Sequence, residues 1–285
     1  MNADRESVAT AEPVVSAAVR YRLRQSFTYE YDGPARDLVH RLVVVPPSVH
    51  GDQRLRSGTV HVSDPEADVR WHEDAFGNRH CVVRIARVPR RLELAVDVVA
   101  ERSSVPFIPR PRRHPSVAPA RWRQPSALTA ATDDIASLAR QHAEPGDVLA
   151  SADAFCALVR ERISYGFDAT DVDTTAAQAL AIGTGVCQDQ AHVMLALCRS
   201  VGIAARYVSG HLVGQGGTHA WTEVLIAGRA VAFDPCHGRR ADARYVTVAV
   251  GRDYRDVPPT SGSYSGQARG HLTTSRLLES ELLAA

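Results

Sequence analysis

Three short stretches hold side chains whose types and spacing could make and break covalent bonds: Gly183-Thr-Gly-Val-Cys-Gln-Asp-Gln-Ala-His192, Thr218-His-Ala-Trp221 and Ala232-Phe-Asp-Pro235. Cys187 follows two glycines and begins an apolar run, as a nucleophile at the start of a helix would. A free thiol, with a pKa of about 8.5, is only a few per cent thiolate at neutral pH. The unpaired N–H groups and partial positive charge of a helix N-terminus favour the thiolate, and a nearby imidazolium favours it further. His219 opens the alternating segment His-Ala-Trp-Thr-Glu-Val-Leu-Ile, which reads as a strand, and Asp234 ends a second strand-like run that Pro235 stops. A carboxylate ending an apolar run needs a partner. A histidine N–H on the adjacent strand would be one, and the bond would fix the tautomer that takes the thiol proton.

Each of these residues alone has a plainer explanation: most free cysteines are small buried apolar groups, and most strand histidines are structural. The conjunction carries the reading of a thiol nucleophile, a base and an orienter. The Ala227-Gly228-Arg229 turn makes the two strands antiparallel neighbours. His219 lies eight residues before Ala227 and Asp234 five after Arg229, so the register requires a bulge or a stagger. The backbone N–H of Cys187 is one candidate donor to an oxyanion. Gln188, beside the nucleophile, and Trp221, beside the base, are the side-chain candidates for oxyanion or substrate binding. Asp189 and His192 read as helix-start and packing residues, and Cys156 and Cys198 fall on apolar helical stripes. Zinc has Cys187, His192, His211, His219, Cys236 and His237 to draw on, but no pair has the usual ligand spacing, and no His-Glu-x-x-His occurs. No metal site is therefore expected, although Cys236-His237, next to Asp234, keeps a rim or metal role open. Ser209 lacks the Gly-x-Ser-x-Gly frame of a nucleophile elbow.

Composition narrows the chemistry. All 33 basic side chains are arginine. Without lysine there is no Schiff base, no pyridoxal-phosphate anchor and no phosphate-loop lysine, and no cofactor is expected. A formal net charge of +1 argues against bulk electrostatic binding to nucleic acid or anionic membrane. No apolar run approaches the roughly 20 residues that span a bilayer, and the N-terminus does not read as a secretory signal. The five cysteines are scattered with no Cys-x-x-Cys pair. On a shared helix, Cys187 and Cys198 would lie about 16 Å apart, too far for a disulfide. Reduced thiols in a cytoplasm are the expectation.

The elements that must position these residues divide by period. Tyr21, Leu23, Phe27, Tyr29 and Tyr31 alternate with arginines and other polar residues, and Leu92, Leu94, Val96 and Val98 repeat the period of two. With short strands over Leu38–Val45, Thr59–Val62 and Cys81–Ile85, residues 18–104 read as an antiparallel β-rich domain. Residues 105–126 carry six prolines and five arginines and read as a semi-rigid linker. In 127–266 the period turns helical at Val148, Ala152, Phe155, Val159 and Ile163. Thr175-Ala-Ala-Gln178 has the capping-box spacing, with Gly183 placed to end that short helix. Strands follow at Ala204–Val208, His219–Ile226, Ala230–Asp234 and Tyr245–Val250. Helices followed by strands make an α+β core whose sheet is mostly antiparallel. Residues 267–285 are set apart as a C-terminal extension.

Gly185-Val-Cys-Gln-Asp, the later Leu-Cys-Arg-Ser-Val-Gly-Ile-Ala-Ala-Arg-Tyr-Val-Ser-Gly, His219-Ala-Trp and Phe233-Asp-Pro together resemble the transglutaminase-like core of bacterial proteins. Asp74-Ala-Phe-Gly-Asn78, Val248-Ala-Val-Gly-Arg-Asp-Tyr254 and Asp256-Val-Pro-Pro259 resemble those proteins' N-terminal region and late core, so the likeness covers most of residues 20–266. The resemblance implies a papain-like fold with Cys187 as nucleophile, His219 as general base and acid, and Asp234 as orienter. This chain departs at Gln190, where an aromatic is common, and at Cys236-His237, where Thr-Asn is common. The implied enzyme is a cysteine-dependent acyl-transfer enzyme acting on a peptide or protein, with amide hydrolysis through a thioester as the leading reaction. Protein-glutamine crosslinking, amine transfer, and a non-catalytic peptide-binding module on the same fold are the alternatives.

Overall fold

The computed structural model describes residues 18–103 and 119–283. Most of the expected linker lies outside the described residues. Seven strands form the first half: β1 (Ala18–Tyr31), β2 (Ala35–Leu42), β3 (Val49–His50), β4 (Gln53–Val62), β5 (Asp68–Glu73), β6 (Arg79–Val88) and β7 (Arg91–Ser103). Helices then dominate: α1 (Pro119–Arg123), α2 (Asp133–His142), α3 (Val148–Arg162) and, after the two-residue strand β8 (Ser164–Tyr165), α4 (Ala176–Ile182). A second short strand, β9 (Thr184–Gly185), leads into α5 (Cys187–Ser200). The remainder is strand: β10 (Ala205–Leu212), β11 (His219–Ile226), β12 (Arg229–Asp234), β13 (Arg239–Arg240), β14 (Tyr245–Gly251), β15 (Thr260–Ser265) and β16 (Gly270–Leu283).

The β-rich half is two facing antiparallel sheets, ordered β16-β1-β7-β4-β3 and β15-β2-β6-β5. Its core is the expected set of alternating residues, among them Leu23, Phe27, Leu38, Val83, Ile85, Leu92, Leu94 and Val96. The chain's last strands complete this half. β16 pairs with β1 along its whole length, from Ala18↔Leu283 to Tyr31↔Gly270, and β15 pairs with β2. Residues 260–283 therefore belong to the first domain's sheets rather than to the core or to a separate extension. Nearly all β16 side chains are exposed, so the segment carries no alternating apolar signal. Its place is set by backbone bonds to β1's open edge.

The second half builds one sheet, ordered β13-β12-β11-β10-β14, with α5 against it. Every residue of α5 from Gln188 to Arg199 is buried, as befits a helix packed among α2, α3, α4 and the sheet. Ala205, Tyr207, Ala220 and Val224 face that helical layer, while Val208, Leu212, Trp221, Tyr245 and Val250 pack on the other face with Phe76 of the first domain. A sheet covered on both faces explains the almost unbroken burial along β10, β11 and β14. β14 is an edge strand, and two amides of the first domain close it. Gln53 donates to the Thr247 carbonyl (2.7 Å) and accepts from its N–H (2.9 Å). Asn78 does the same at Val250 (2.7 and 2.8 Å). Each amide copies one rung of a missing neighbour strand.

Candidate active site

Cys187 is the first residue of α5, and several local devices fix its entry. Thr175 and Gln178 form the capping box of α4, and Gly183, in the left-handed region at φ 72°, ends it. Thr184 and Gly185 then pair in parallel with Ser164 and Tyr165. Asp189, one turn into α5, turns back so that its Oδ2 accepts from the Val186 N–H (2.8 Å) and the Thr170 hydroxyl (2.7 Å). A Cβ at residue 185 would lie 2.7 Å from that same Oδ2, so the carboxylate cap requires glycine there. Cys187 is the one cysteine of the five that is not buried. Burial pushes the Cys81 thiol up to about 11 and those of Cys156, Cys198 and Cys236 up to about 12, so none of these competes as a thiolate.

His219 starts β11, and the required stagger is visible in the ladder. β11 pairs with β12 through Thr222↔Phe233, and one further step sets Asp234 across from Trp221, two residues from His219 on the same face. No bulge is needed. His219 Nε2 donates to Asp234 Oδ2 at 2.7 Å, and Cys187 lies near enough to the same imidazole to raise its pKa. Burial by itself would lower the His219 pKa. The bonds to Asp234 and Cys187 outweigh it and raise the value to about 9.

Asp234 is fully buried, and burial alone would raise its pKa. Bonds from His219 and Tyr245 and the nearby His237 hold it at about 2 instead. Its Oδ2 accepts from His219 Nε2, His237 Nδ1 (2.7 Å) and the Tyr245 hydroxyl (2.6 Å). Its Oδ1 accepts from the backbone N–H of Cys236 (2.9 Å) and His237 (3.2 Å). Tyr245 and His237's direct bond to the carboxylate escaped the sequence reading. Tyr245 lies on a strand not adjacent to Asp234 and gives no local sign. His237 was singled out with Cys236 for a rim or metal role beside Asp234 and as a departure from the resemblance, not as a partner of the carboxylate.

The other expected residues fall as follows. Gln188 points its amide at the Val172 carbonyl (3.3 Å), tying down the loop that leads to α4. Trp221 is buried, stacks on His219 with ring centroids 6.1 Å apart, and has an indole N–H without a partner among the described residues. A Cβ at Gly210 would strike that indole at 2.5 Å, so this glycine makes its room. Gln190 does not reach the cleft rim; it is buried and donates to the Ile163 carbonyl (2.8 Å). His192 is buried with its Nε2 accepting from the Tyr254 N–H (3.1 Å), a packing role as expected. Glu223, on β11, is engaged elsewhere, by His50 (2.7 Å) and Arg206 (2.7 Å).

A helical layer carrying a thiol at its central helix start, against a sheet carrying histidine and aspartate, defines a papain-like cysteine-enzyme fold of the transglutaminase type. Residues 136–235 match the model of the transglutaminase-like superfamily, and residues 21–101 match that of the bacterial transglutaminase-like N-terminal region. The chain belongs to the bacterial transglutaminase-like proteins. An uncharacterized protein of Mycobacterium leprae is 35% identical over 154 residues, covering 50% of this chain and 55% of that protein. The match thus spans about half of that relative's length. An uncharacterized protein of Mycobacterium tuberculosis is 26% identical over 281 residues, with 87% and 88% of the two chains covered. The fold is also that of a crystal structure named as a candidate cysteine protease of Cytophaga hutchinsonii, with a TM-score of 0.75, 20% identity, and 94% and 92% of the two chains covered.

Proposed function

We propose that the protein is a cysteine-dependent acyl-transfer enzyme that hydrolyses an amide or peptide bond in a peptide or protein substrate. The observation that carries this reading is one imidazole, His219, held by a buried, ionised Asp234 and close enough to Cys187 for the two to affect each other's charge. With its pKa raised to about 9, His219 is an imidazolium at neutral pH and supports a thiolate beside it. The thiolate attacks the carbonyl carbon, and the oxyanion forms near the free N–H groups at the start of α5. His219 gives its proton to the leaving amine, so the tetrahedral adduct collapses to a thioester on Cys187. It then takes a proton from water as that water attacks the thioester. Asp234 keeps the Nε2 proton in place and stabilises the imidazolium throughout.

Because this chain has no lysine, it offers no side-chain amine of its own as an acyl acceptor, which favours water over self-crosslinking. Five unpaired cysteines suit a reducing compartment. The test is intact-protein mass spectrometry after incubation with cell lysate, followed by peptide mapping. The expected result is an acyl adduct on the Cys187 peptide that hydroxylamine releases. A Cys187→Ala protein that still turned over the same substrate would overturn the reading.

A further inference from the structure

His237 is the part of this site that the proposed chemistry leaves unused. A thiol triad needs one imidazole on its carboxylate, and here there are two. His219 Nε2 and His237 Nδ1 both lie 2.7 Å from Asp234 Oδ2, and the three ligand atoms fall within 4.8 Å of one another. Two imidazole nitrogens and a carboxylate oxygen are a donor set that zinc binds readily, at about 2.0–2.2 Å per bond. Both nitrogens donate to the carboxylate oxygen, which can only accept. A divalent cation would take the place of the two protons.

We infer that His219, Asp234 and His237 form a reversible binding site for a zinc-class divalent cation, one that switches off the thiol chemistry. Sequence spacing hides this site, because Asp234 and His237 are three residues apart while His219 comes from the neighbouring strand. The surroundings suit a metal centre. Asp234 Oδ1 is held by two backbone N–H groups, which aim the carboxylate. Gln215 contacts His237 Nε2 at 3.0 Å, and after an amide flip its oxygen would accept the Nε2 proton of a metal-bound ring. The His237 side chain is 31% exposed whereas those of His219 and Asp234 are at 2% and 0%, so His237 is the side that solvent reaches and that can move. A water entering there would be the fourth ligand of a three-residue zinc site.

Binding breaks the His219–Asp234 and His237–Asp234 hydrogen bonds and forms two metal–nitrogen bonds and one metal–oxygen bond; the proton displaced from each coordinating nitrogen passes to that ring's other nitrogen or to solvent. His219 is then fixed through Nε2 and loses its orienting carboxylate, so it can no longer exchange a proton with the thiol and leaving group. The metal site stands on this geometry whether or not the substrate proposed above is correct.

The test is calorimetric titration of zinc chloride into the full-length Cys187→Ser protein at pH 7, since this variant removes the thiol as a competing ligand. One zinc per chain is expected, weakened at least about tenfold when His237→Ala or His237→Asn is added, as loss of a ligand should exceed the 10–100-fold cost of losing an outer-shell partner. Circular dichroism of both double variants confirms that they fold, and the asparagine can keep a hydrogen bond to Asp234. No zinc binding to the Cys187→Ser protein, or binding unchanged by both His237 substitutions, would overturn the proposal. In the latter case the metal would sit elsewhere, for example at the stacked His72–His80 pair.

Discussion

At the residue scale, one sulfur is partly exposed and the other four are buried. Competitive alkylation with limiting iodoacetamide should label Cys187 first, because the other four thiols are buried and pushed up to about 11 or 12. Peptide mapping checks this, and preferential labelling of Cys236 would remove Cys187 as the nucleophile. Asp234→Asn should slow turnover by about 10³–10⁴, since an amide can favour the wrong imidazole tautomer. Steady-state rates of the purified variant measure it. The pH dependence has a definite sign. His219 is raised above its ordinary value of 6.5 to about 9, so its charged form, and the stability of its bond to Asp234, is fully present below pH 6.5 and is lost as pH rises through 9. Turnover should therefore fall on the alkaline side near pH 9, as the acid that protonates the leaving amine disappears. Asp234 gives the opposite limb: its contribution is present above about pH 4 and is lost only as pH falls through 2.

At the element scale, the start of α5 decides where the sulfur sits, and Gly185 decides whether Asp189 can cap it. Gly185→Ala would place a Cβ 2.7 Å from Asp189 Oδ2 and 2.9 Å from Asp189 Cβ. The carboxylate must then move, giving up its bonds to Val186 and Thr170. The expected cost is about 1–3 kcal/mol, from crowding and a lost cap together. Denaturant unfolding measures that cost, and iodoacetamide labelling of Cys187 should slow in parallel as the helix start shifts. Normal stability with slowed labelling would instead place the effect on the thiol's surroundings alone. The capping box of α4 and the αL glycine after it were legible in Thr175, Gln178 and Gly183, because a helix cap is chemistry between residues three or four apart. Helix α2 was not read, although Thr132 caps it through the Ile135 N–H. Only Ile135 and Ala139 are buried on that helix, too few to announce a period.

At the scale of the whole molecule, the first domain supports the core rather than merely flanking it. Gln53 and Asn78 close the edge of β14, which carries Tyr245, the hydroxyl partner of Asp234. His50 joins Arg206 on the buried Glu223, whose carboxyl these two partners hold well below the usual range against the effect of burial. From the last strand, Arg276 bonds His211 and the carbonyls of Gln215 and Gly217, in the loop just before His219. Removing residues 270–283 would strip β1 of one of its two partner strands and release that loop. The shortened chain should melt several degrees lower and lose turnover, which differential scanning calorimetry and a rate assay would show. Unchanged melting would mean that β16 pairing contributes little. A Gln53→Leu substitution tests the edge more finely: it leaves the Thr247 N–H and carbonyl buried without partners, at about 1–3 kcal/mol each.

The sequence by itself determined the residue types proposed to do the chemistry, the helix start that presents Cys187, the two strands that bring His219 and Asp234 together, and the division into a β-rich and a mixed half. All of these are written in short-range patterns: caps, turns, and periods of two and 3.6. Only the tertiary structure decided that Asp234 holds His237 and Tyr245 as well as His219, that Glu223 belongs to Arg206 and His50, that the chain's last strand completes its first sheet, and that Gln53 and Asn78 close the core's edge. Apart from His237, three residues from Asp234, and Arg206, one strand before Glu223, those contacts join groups far apart in sequence, some nearly the whole chain apart. They depend on where folded surfaces meet. A polar side chain that finds its partner across such a meeting leaves no period along the chain, and its burial is satisfied only once both surfaces exist.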